Sequence, residues 1–594
     1  MEHENTNLLW DTSRLYPGPA SAELERDLES AGEQTKAFRE AYLGKVAGLD
    51  SAGLLIALTS YESLQELIVK PQIYAQLLFS GDSRDDVNKR LSQKAAEFGN
   101  LMGRELLFFD LEIMAIPDDA FARLTADPRL AGYRHRLELV RKFKPHTLPE
   151  QEERLLKLKN LTGVDAFTRL FDELSASISY RLEMDGEMRE FTGEELLGLL
   201  HHPDRELRER AFATFLEHHA NHGLVFSSVF NNATLDHGQE LELRGYKSPM
   251  EPTNMGNEIE ASVVERLMQV SEANYPLARD YFRIKARLLN LPRLKNSDIY
   301  APVVETSRSY EFSEAKELVL AAYRDFNPAY APIIKAFFDD RRIDVLPRPG
   351  KGGGAYCMGM TPHIPPYLLL NFTGNLRDVA TLAHELGHGL HFVLAQKQSM
   401  LNYHAPLPLA ETASVFGEML LTRHLLAHET DPGVKIALLC AKIEDIIATT
   451  FRQNVLTRFE ERLHLERKAG LLTTDRICDL WWEENAKLYG DAVEMIPPYR
   501  WGWSYISHFI HARFYCYSYT FAELLVLSLY ENYLHEGAAF LPAYEAILAS
   551  GGSQSPAETL RPAGIDLTAP DFWQKGYDFL GGLISELDGL VKSS

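Results

Sequence analysis

Cysteine is nearly absent, with four in 594 residues. Cys357, Cys440, Cys478 and Cys516 lie far apart and none belongs to a CxxC pair. That excludes a disulfide framework, which belongs to short cysteine-dense chains, and a structural zinc held by cysteines. Long apolar runs are also missing. The longest, such as LLVLSLY at 524–530, fall well short of the ~20 residues a bilayer crossing needs, so no membrane partner is expected. Positive charge is the third shortage. Lys and Arg number 61 against 84 Asp and Glu, a formal net charge of −23, and no basic run breaks the pattern. Nucleic acid is therefore not an expected partner. The opening MEHENTNLLWDTSRLYP lacks the basic-then-apolar order of an export signal, so the expected compartment is the cytoplasm.

What is present is ordinary globular composition, 45% hydrophobic and 24% charged. A chain this long does not fold around one core, so two or more lobes are expected. Residues 20–175 carry apolar positions at helical spacing, as in LESAGEQTKAFREAYLGKVAGL and LSQKAAEFGNLMGRELLFFDLEIMAI. They predict antiparallel amphipathic helices that act as scaffold. Near 176–191 the period shortens around Asp185-Gly186, a hairpin signature, and Thr192 with Glu195 forms a capping box for a new helix. A boundary is placed there, giving an N-terminal helical lobe at 1–190 and a catalytic domain at 191–594. His201, His202, His218, His219 and His222 have no acidic or cysteine partner at matching spacing and are expected on the surface at helix ends. Between 340 and 373 the Gly-rich LPRPGKGGGAYCMGM and the short apolar PPYLLLNF predict a small β element. Lys351 and its glycines lack the spacing of a phosphate loop.

The chemistry concentrates in TLAHELGHGLHFVL, 381–394. Asn375, with Asp378 three residues on, caps the helix that carries it. His384 and His388 stand four apart on one face, about 6 Å between Cβ atoms, a spacing that can hold one tetrahedral zinc. Glu385 beside them is the candidate general base. Gly387 and Gly389 flank His388, and glycine inside a helix costs about 1 kcal/mol, so a close neighbour is expected there. A catalytic zinc needs a third protein ligand. Glu411 follows His388 by 411 − 388 = 23 residues, room for a helix, a loop and a returning helix. Glu418, two turns further, could orient a ligand histidine. His391 is the rival ligand, but it lies about 10 Å along the axis from His384, too far for one ion to bridge. SHFIHARFYCYSYTF at 507–521 supplies histidines and tyrosines able to stabilise an oxyanion.

HELGHGLH, AETASVFGE and HFIHARFYCYSY, together with GKGGGAYCMG and PPYLLLNFTGNLRDVATLAHELGH, resemble oligoendopeptidase F of the thimet-oligopeptidase-like zinc metallopeptidases. The resemblance spans most of the chain. It implies a mainly α, two-lobed fold around a deep substrate channel, with a small β element near the active site. It implies an endopeptidase acting on short oligopeptides with one zinc per chain. It assigns His384, His388 and Glu411 as ligands, Glu385 as general base, and His508, Tyr515, Tyr517 and Tyr519 as the segment of transition-state donors. Two other readings stay open on the residues alone. One is a metallocarboxypeptidase using Arg452, Arg500 or Arg513 for the terminal carboxylate. The other is a peptide-binding scaffold without catalysis. The sequence implies no oligomeric state.

Overall fold

The computed structural model describes residues 8–304 and 308–593. The protein is mainly helical, with three small sheets among the described residues. Its contacts divide it into two compact units, each assembled from three stretches of chain. The first comprises 1–144, 308–427 and 532–565; the second comprises 145–307, 428–531 and 566–594. Position 190 lies inside the second unit.

In the first unit, helices Ala22–Tyr42, Ser51–Gly81 and Asp86–Ala115 pack against one another, as their periodicity predicts. Ser21, Asp50 and Asp85 each accept a backbone N–H at the respective N-terminus, satisfying donors that have no partner inside the helix. Between these helices lies a core that includes Phe38, Leu58, Leu106 and Phe109.

The same unit holds the β element expected at 340–373. Strand Tyr367–Leu369 is central, parallel to Ile343–Asp344 and antiparallel to Tyr356–Met358. Asp344, fully buried, is gripped by Arg348 at 2.6 Å and by Lys351 at 2.8 Å. Lys351 also donates to the carbonyls of Asp344 and Leu346 at 3.1 and 2.9 Å. The lysine of the KGGG run therefore ties its loop to the sheet. Its ammonium lies among acceptors that offset the cost of burying a charge.

In the second unit, strands Tyr180–Met184 and Glu187–Phe191 form the hairpin read from Asp185-Gly186. Both turn residues have positive φ, 56° and 79°, as a two-residue hairpin turn of this kind requires. Thr192 and Glu195 then cap helix Gly193–Gly198 reciprocally. His219 departs from the surface placement expected of the five histidines. It is buried at 3% exposure between Tyr180 Oη at 3.2 Å and Ser504 Oγ at 3.1 Å. Stacking on Phe226 and satisfied ring nitrogens let it serve as core, and burial lowers its pKa to about 4, so it is neutral.

Candidate metal centre

Helix Leu376–Ala395 carries the HExxH motif. Asn375 accepts the Asp378 N–H at 3.0 Å, and Asp378 accepts the backbone N–H groups of Thr373, Gly374 and Asn375 in return. The helix packs on strands Tyr356–Met358 and Tyr367–Leu369 and on helices Phe312–Phe326 and Tyr330–Asp339. Helix Thr412–His428 then crosses it at the closest approach a backbone permits. A Cβ on Gly387 would lie 2.6 Å from Ser414 Cα and closer still to the Ala413 carbonyl. Reciprocally, a Cβ on Gly417 would lie 2.8 Å from the Ala383 carbonyl. The close neighbour expected at Gly387 is thus the backbone of a second helix. Tyr323 locks the crossing by donating to that Ala383 carbonyl at 2.9 Å.

The crossing brings the chemistry together. Glu411 ends the short helix Leu407–Ala410, just before Thr412–His428. Its Oε2 lies 3.5 Å from His384 Nε2 and 3.3 Å from His388 Nε2. One donor atom from each of the three residues falls within 4.8 Å of the others. Tetrahedral zinc with bonds of about 2.1 Å puts its ligand atoms about 3.4 Å apart, so the donor set fits the ion. Glu418 Oε1 accepts from His384 Nδ1 at 2.6 Å, which turns Nε2 toward Glu411. Ser414 Oγ donates to Glu411 Oε2 at 2.6 Å. His391 is buried outside the donor triad, with its ring near the Ala410 carbonyl.

The electrostatics favour a cation. Burial opposes protonation of His384, but the Glu418 hydrogen bond and the charges of Glu418, Glu411 and Glu385 outweigh it and raise its pKa to about 9. Burial also works against ionisation of Glu411, and the hydrogen bond and charge of His388, then His384 and Ser414, hold it down at about 2. Burial pushes Glu385 above the ordinary carboxylate range. Its Oε2 is buried with no hydrogen-bond partner among the described residues. His384, Glu385, His388 and Glu411 border a cavity of about 370 Å³ that Tyr356 and Cys357 of the small sheet also line. Three carboxylates crowd two imidazoles here, a negative surplus that a dication compensates. Glu418→Ala is expected to weaken metal affinity roughly 10–100-fold, read by competition with a chromogenic chelator.

The second unit holds His508, Tyr515, Tyr517 and Tyr519. His508 opens the short helix His508–His511, and helix Cys516–Glu536 carries Tyr517 and Tyr519 and turns them to different sides. His508 Nε2 lies 3.3 Å from Tyr519 Oη, and the Tyr515 ring packs against both. Tyr517 points the other way, fully buried, its hydroxyl accepting from Asn257 at 2.8 Å. Just before the helix, Phe514 has φ of 56°, and its N–H donates to Glu460 at 2.9 Å. Burial raises Glu460 from 4.5 to about 8. The folded state then holds a proton that the unfolded chain releases above its ordinary pKa, so this group's contribution to stability falls as pH rises from about 4.5 to about 8. Glu460→Gln should flatten that decline in urea midpoints measured across the interval.

Ser414 and Tyr323 were not singled out in the sequence. Ser414, three residues after Glu411, follows a side-chain-to-backbone pattern that could have flagged it. Tyr323 reaches the centre only through packing and carries no local signal.

The family model described as Peptidase family M3 matches residues 198–579, and the one described as Oligopeptidase F matches 112–180. An oligoendopeptidase F homolog of Lactococcus lactis subsp. lactis is 26% identical over 591 residues, 98% of this chain and 97% of that one. The oligopeptidase PepF of Bacillus subtilis is 27% identical over 537 residues, covering 89% and 80%. The solved oligoendopeptidase F of Enterococcus faecium superposes with a TM-score of 0.72 at 25% identity, covering 96% of this chain and 99% of that one. A crystal structure from Chlamydophila abortus reaches 0.89 at 26% identity, covering 98% of both chains. A helical fold shared along the whole length and a family model that spans the motif helix and its carboxylate partner make this chain a metallopeptidase of family M3, oligoendopeptidase F-like.

Proposed function

We infer that the protein is a zinc endopeptidase that cuts internal bonds of short oligopeptides. One zinc per chain would be held by His384 Nε2, His388 Nε2 and a Glu411 carboxylate oxygen. The 3.3 and 3.5 Å spacings between Glu411 and the two imidazoles carry this reading. When bound, zinc supplies Lewis acidity toward water and toward the scissile carbonyl. The protein's own groups do the rest. Glu418 keeps the proton of His384 on Nδ1. Ser414 holds the Glu411 carboxylate in one orientation. Glu385, unpartnered at Oε2 and raised in basicity by burial, takes the proton of the attacking water and delivers it to the leaving amine. His508, Tyr515 and Tyr519 keep the donor role toward the oxyanion that the resemblance gives their segment. Tyr517 is better suited to structure, since its hydroxyl is engaged by Asn257. The oligopeptide substrate rests on the names of the relatives, oligoendopeptidases and oligopeptidases.

The test is digestion of an end-blocked, internally quenched peptide, with products read by mass spectrometry. Internal cuts that stop with chelator and return on adding one equivalent of zinc support the reading. Products trimmed one residue at a time from an unblocked C-terminus, with the blocked peptide untouched, overturn it in favour of a carboxypeptidase. Chelator-resistant cleavage overturns the metal assignment.

A further inference from the structure

The second unit contains a cavity that the peptidase reading does not use. It measures about 310 Å³, and its walls are apolar and aromatic: Leu197, Leu200, Phe212, Phe282, Tyr489 and Tyr499 among others. Arg452, half-buried, lines it.

Two other buried or half-buried arginines of this unit have carboxylates, whereas Arg513 reaches only the carbonyls of Ile510 and Ala233 among the described residues, at 3.5 Å. Arg208 pairs with Asp298 at 2.8 Å, and Arg458 pairs with Glu265, Glu272 and Glu461. Arg452 has no ion pair among the described residues, and its one protein hydrogen bond is Nη2 to the Tyr505 hydroxyl at 3.4 Å. Glu444, the acid on the same wall, is taken by Lys285 and Tyr281. One positive charge therefore lies without a carboxylate partner among the described residues, beside a mostly apolar and aromatic wall. The backbone also marks the position. Arg452 closes a five-residue π-helical segment, Ala448–Arg452, between two α-helices. Such bulges are uncommon and concentrate at functional sites.

We propose that this cavity is a binding site for a small organic carboxylate with an apolar body. The guanidinium offers a fork that matches the two oxygens of a carboxylate, and the Tyr505 O–H, an acceptor toward Arg452, is left to donate to the same group. A single unbalanced positive charge selects a monoanion over a phosphate dianion. The volume is about ten times the ~30 Å³ of one water, so the ligand fills the walls with an apolar portion and not the charge alone. A carboxylate with this shape is either a free acid or the C-terminal end of a peptide. His508 lies close enough for the Arg452 charge, after burial, to lower its pKa. A bound anion offsets that charge, so the His508 titration moves upward when the site fills.

The experiment is isothermal titration of the full zinc-loaded chain with N-acetylphenylalanine and with N-acetylphenylalaninamide. The expected result is binding of the acid with the amide at least about 10-fold weaker, and loss of the acid's advantage in Arg452→Gln. Equal binding of acid and amide overturns the proposal. So does acid binding that survives in Arg452→Gln, because the acid would then sit at the metal. Should Arg452→Gln fail to fold, Tyr505→Phe takes its place: several-fold weaker acid binding with the amide unchanged supports the site, and unchanged acid binding overturns it. The upward shift of His508, followed by imidazole NMR on adding the acid, must accompany binding. An acid that binds without it is bound elsewhere. A blocked hexapeptide ending in phenylalanine, with its C-terminus free or amidated, identifies the source on the Glu385→Gln chain, which should not consume it. A tenfold preference for the free end assigns the site to peptide ends. No preference, with the small acid still bound, assigns it to free acids. Binding is read without turnover, so failure here leaves the peptidase reading untouched.

Discussion

Glu385→Gln is expected to lower kcat by roughly 10²–10⁴-fold while zinc content stays at one per chain. Glutamine keeps the shape and volume of the side chain, so the helix and the donor triad are undisturbed. It cannot accept a proton. In the native site the Glu385 Oε2 has no protein partner and is buried, a position a carboxylate occupies at a cost unless it has work to do. The same burial lifts its basicity toward the pH at which proton transfer is most effective. The loss belongs to the transition state, so kcat and kcat/KM should fall together with little change in KM. Stability should hold or rise, since a buried charge is removed. Quenched-peptide kinetics beside metal analysis decide the matter, and wild-type turnover in the variant would remove Glu385 from the mechanism.

Gly387→Ala carries the largest expected effect on folding. Alanine is ordinarily the better helix residue by about 1 kcal/mol. Here the added methyl meets Ser414 Cα at 2.6 Å and the Ala413 carbonyl, both backbone, so no side chain can swing aside. The two helices must separate, and overpacking of this kind costs up to about 3 kcal/mol. Separation also draws Glu411 away from His384 and His388, so zinc affinity should fall at least about tenfold alongside stability. Gly103→Ala is the control. Gly103 lies exposed within helix Asp86–Ala115 with nothing within 4 Å of the new methyl. That variant should be unchanged or gain up to about 1 kcal/mol. Denaturant unfolding with and without chelator separates the two effects. If Gly387→Ala unfolds and binds zinc like the native chain, the close crossing does not set the site.

Local patterns in the sequence carry a definite share of this picture. The i, i+4 pair of histidines shares a face because a helix has 3.6 residues per turn, whatever surrounds it. The Asn375 cap, the Thr192 box and the Asp185-Gly186 turn are written in neighbouring residues and occur where their chemistry requires. The same local reading misplaced His219, because a histidine at a helix end is exposed or buried according to what packs over it. Along 515–519 three tyrosines look alike, yet alternate positions of a helix point to opposite sides, and only packing shows that Tyr517 faces the core.

By itself, then, the sequence determined the motif helix, its caps and the chemical kind of its ligands, since each depends on contacts within a few residues. The tertiary structure alone decided that Glu411 reaches both imidazoles, that Glu418 holds one of them, and that Arg452 stands without a carboxylate among the described residues. It also decided that each compact unit draws on three separate stretches of the chain. Those outcomes depend on which surfaces can approach, as the glycine-to-backbone crossing at Gly387 shows, and closeness between distant residues leaves no periodic trace along the chain.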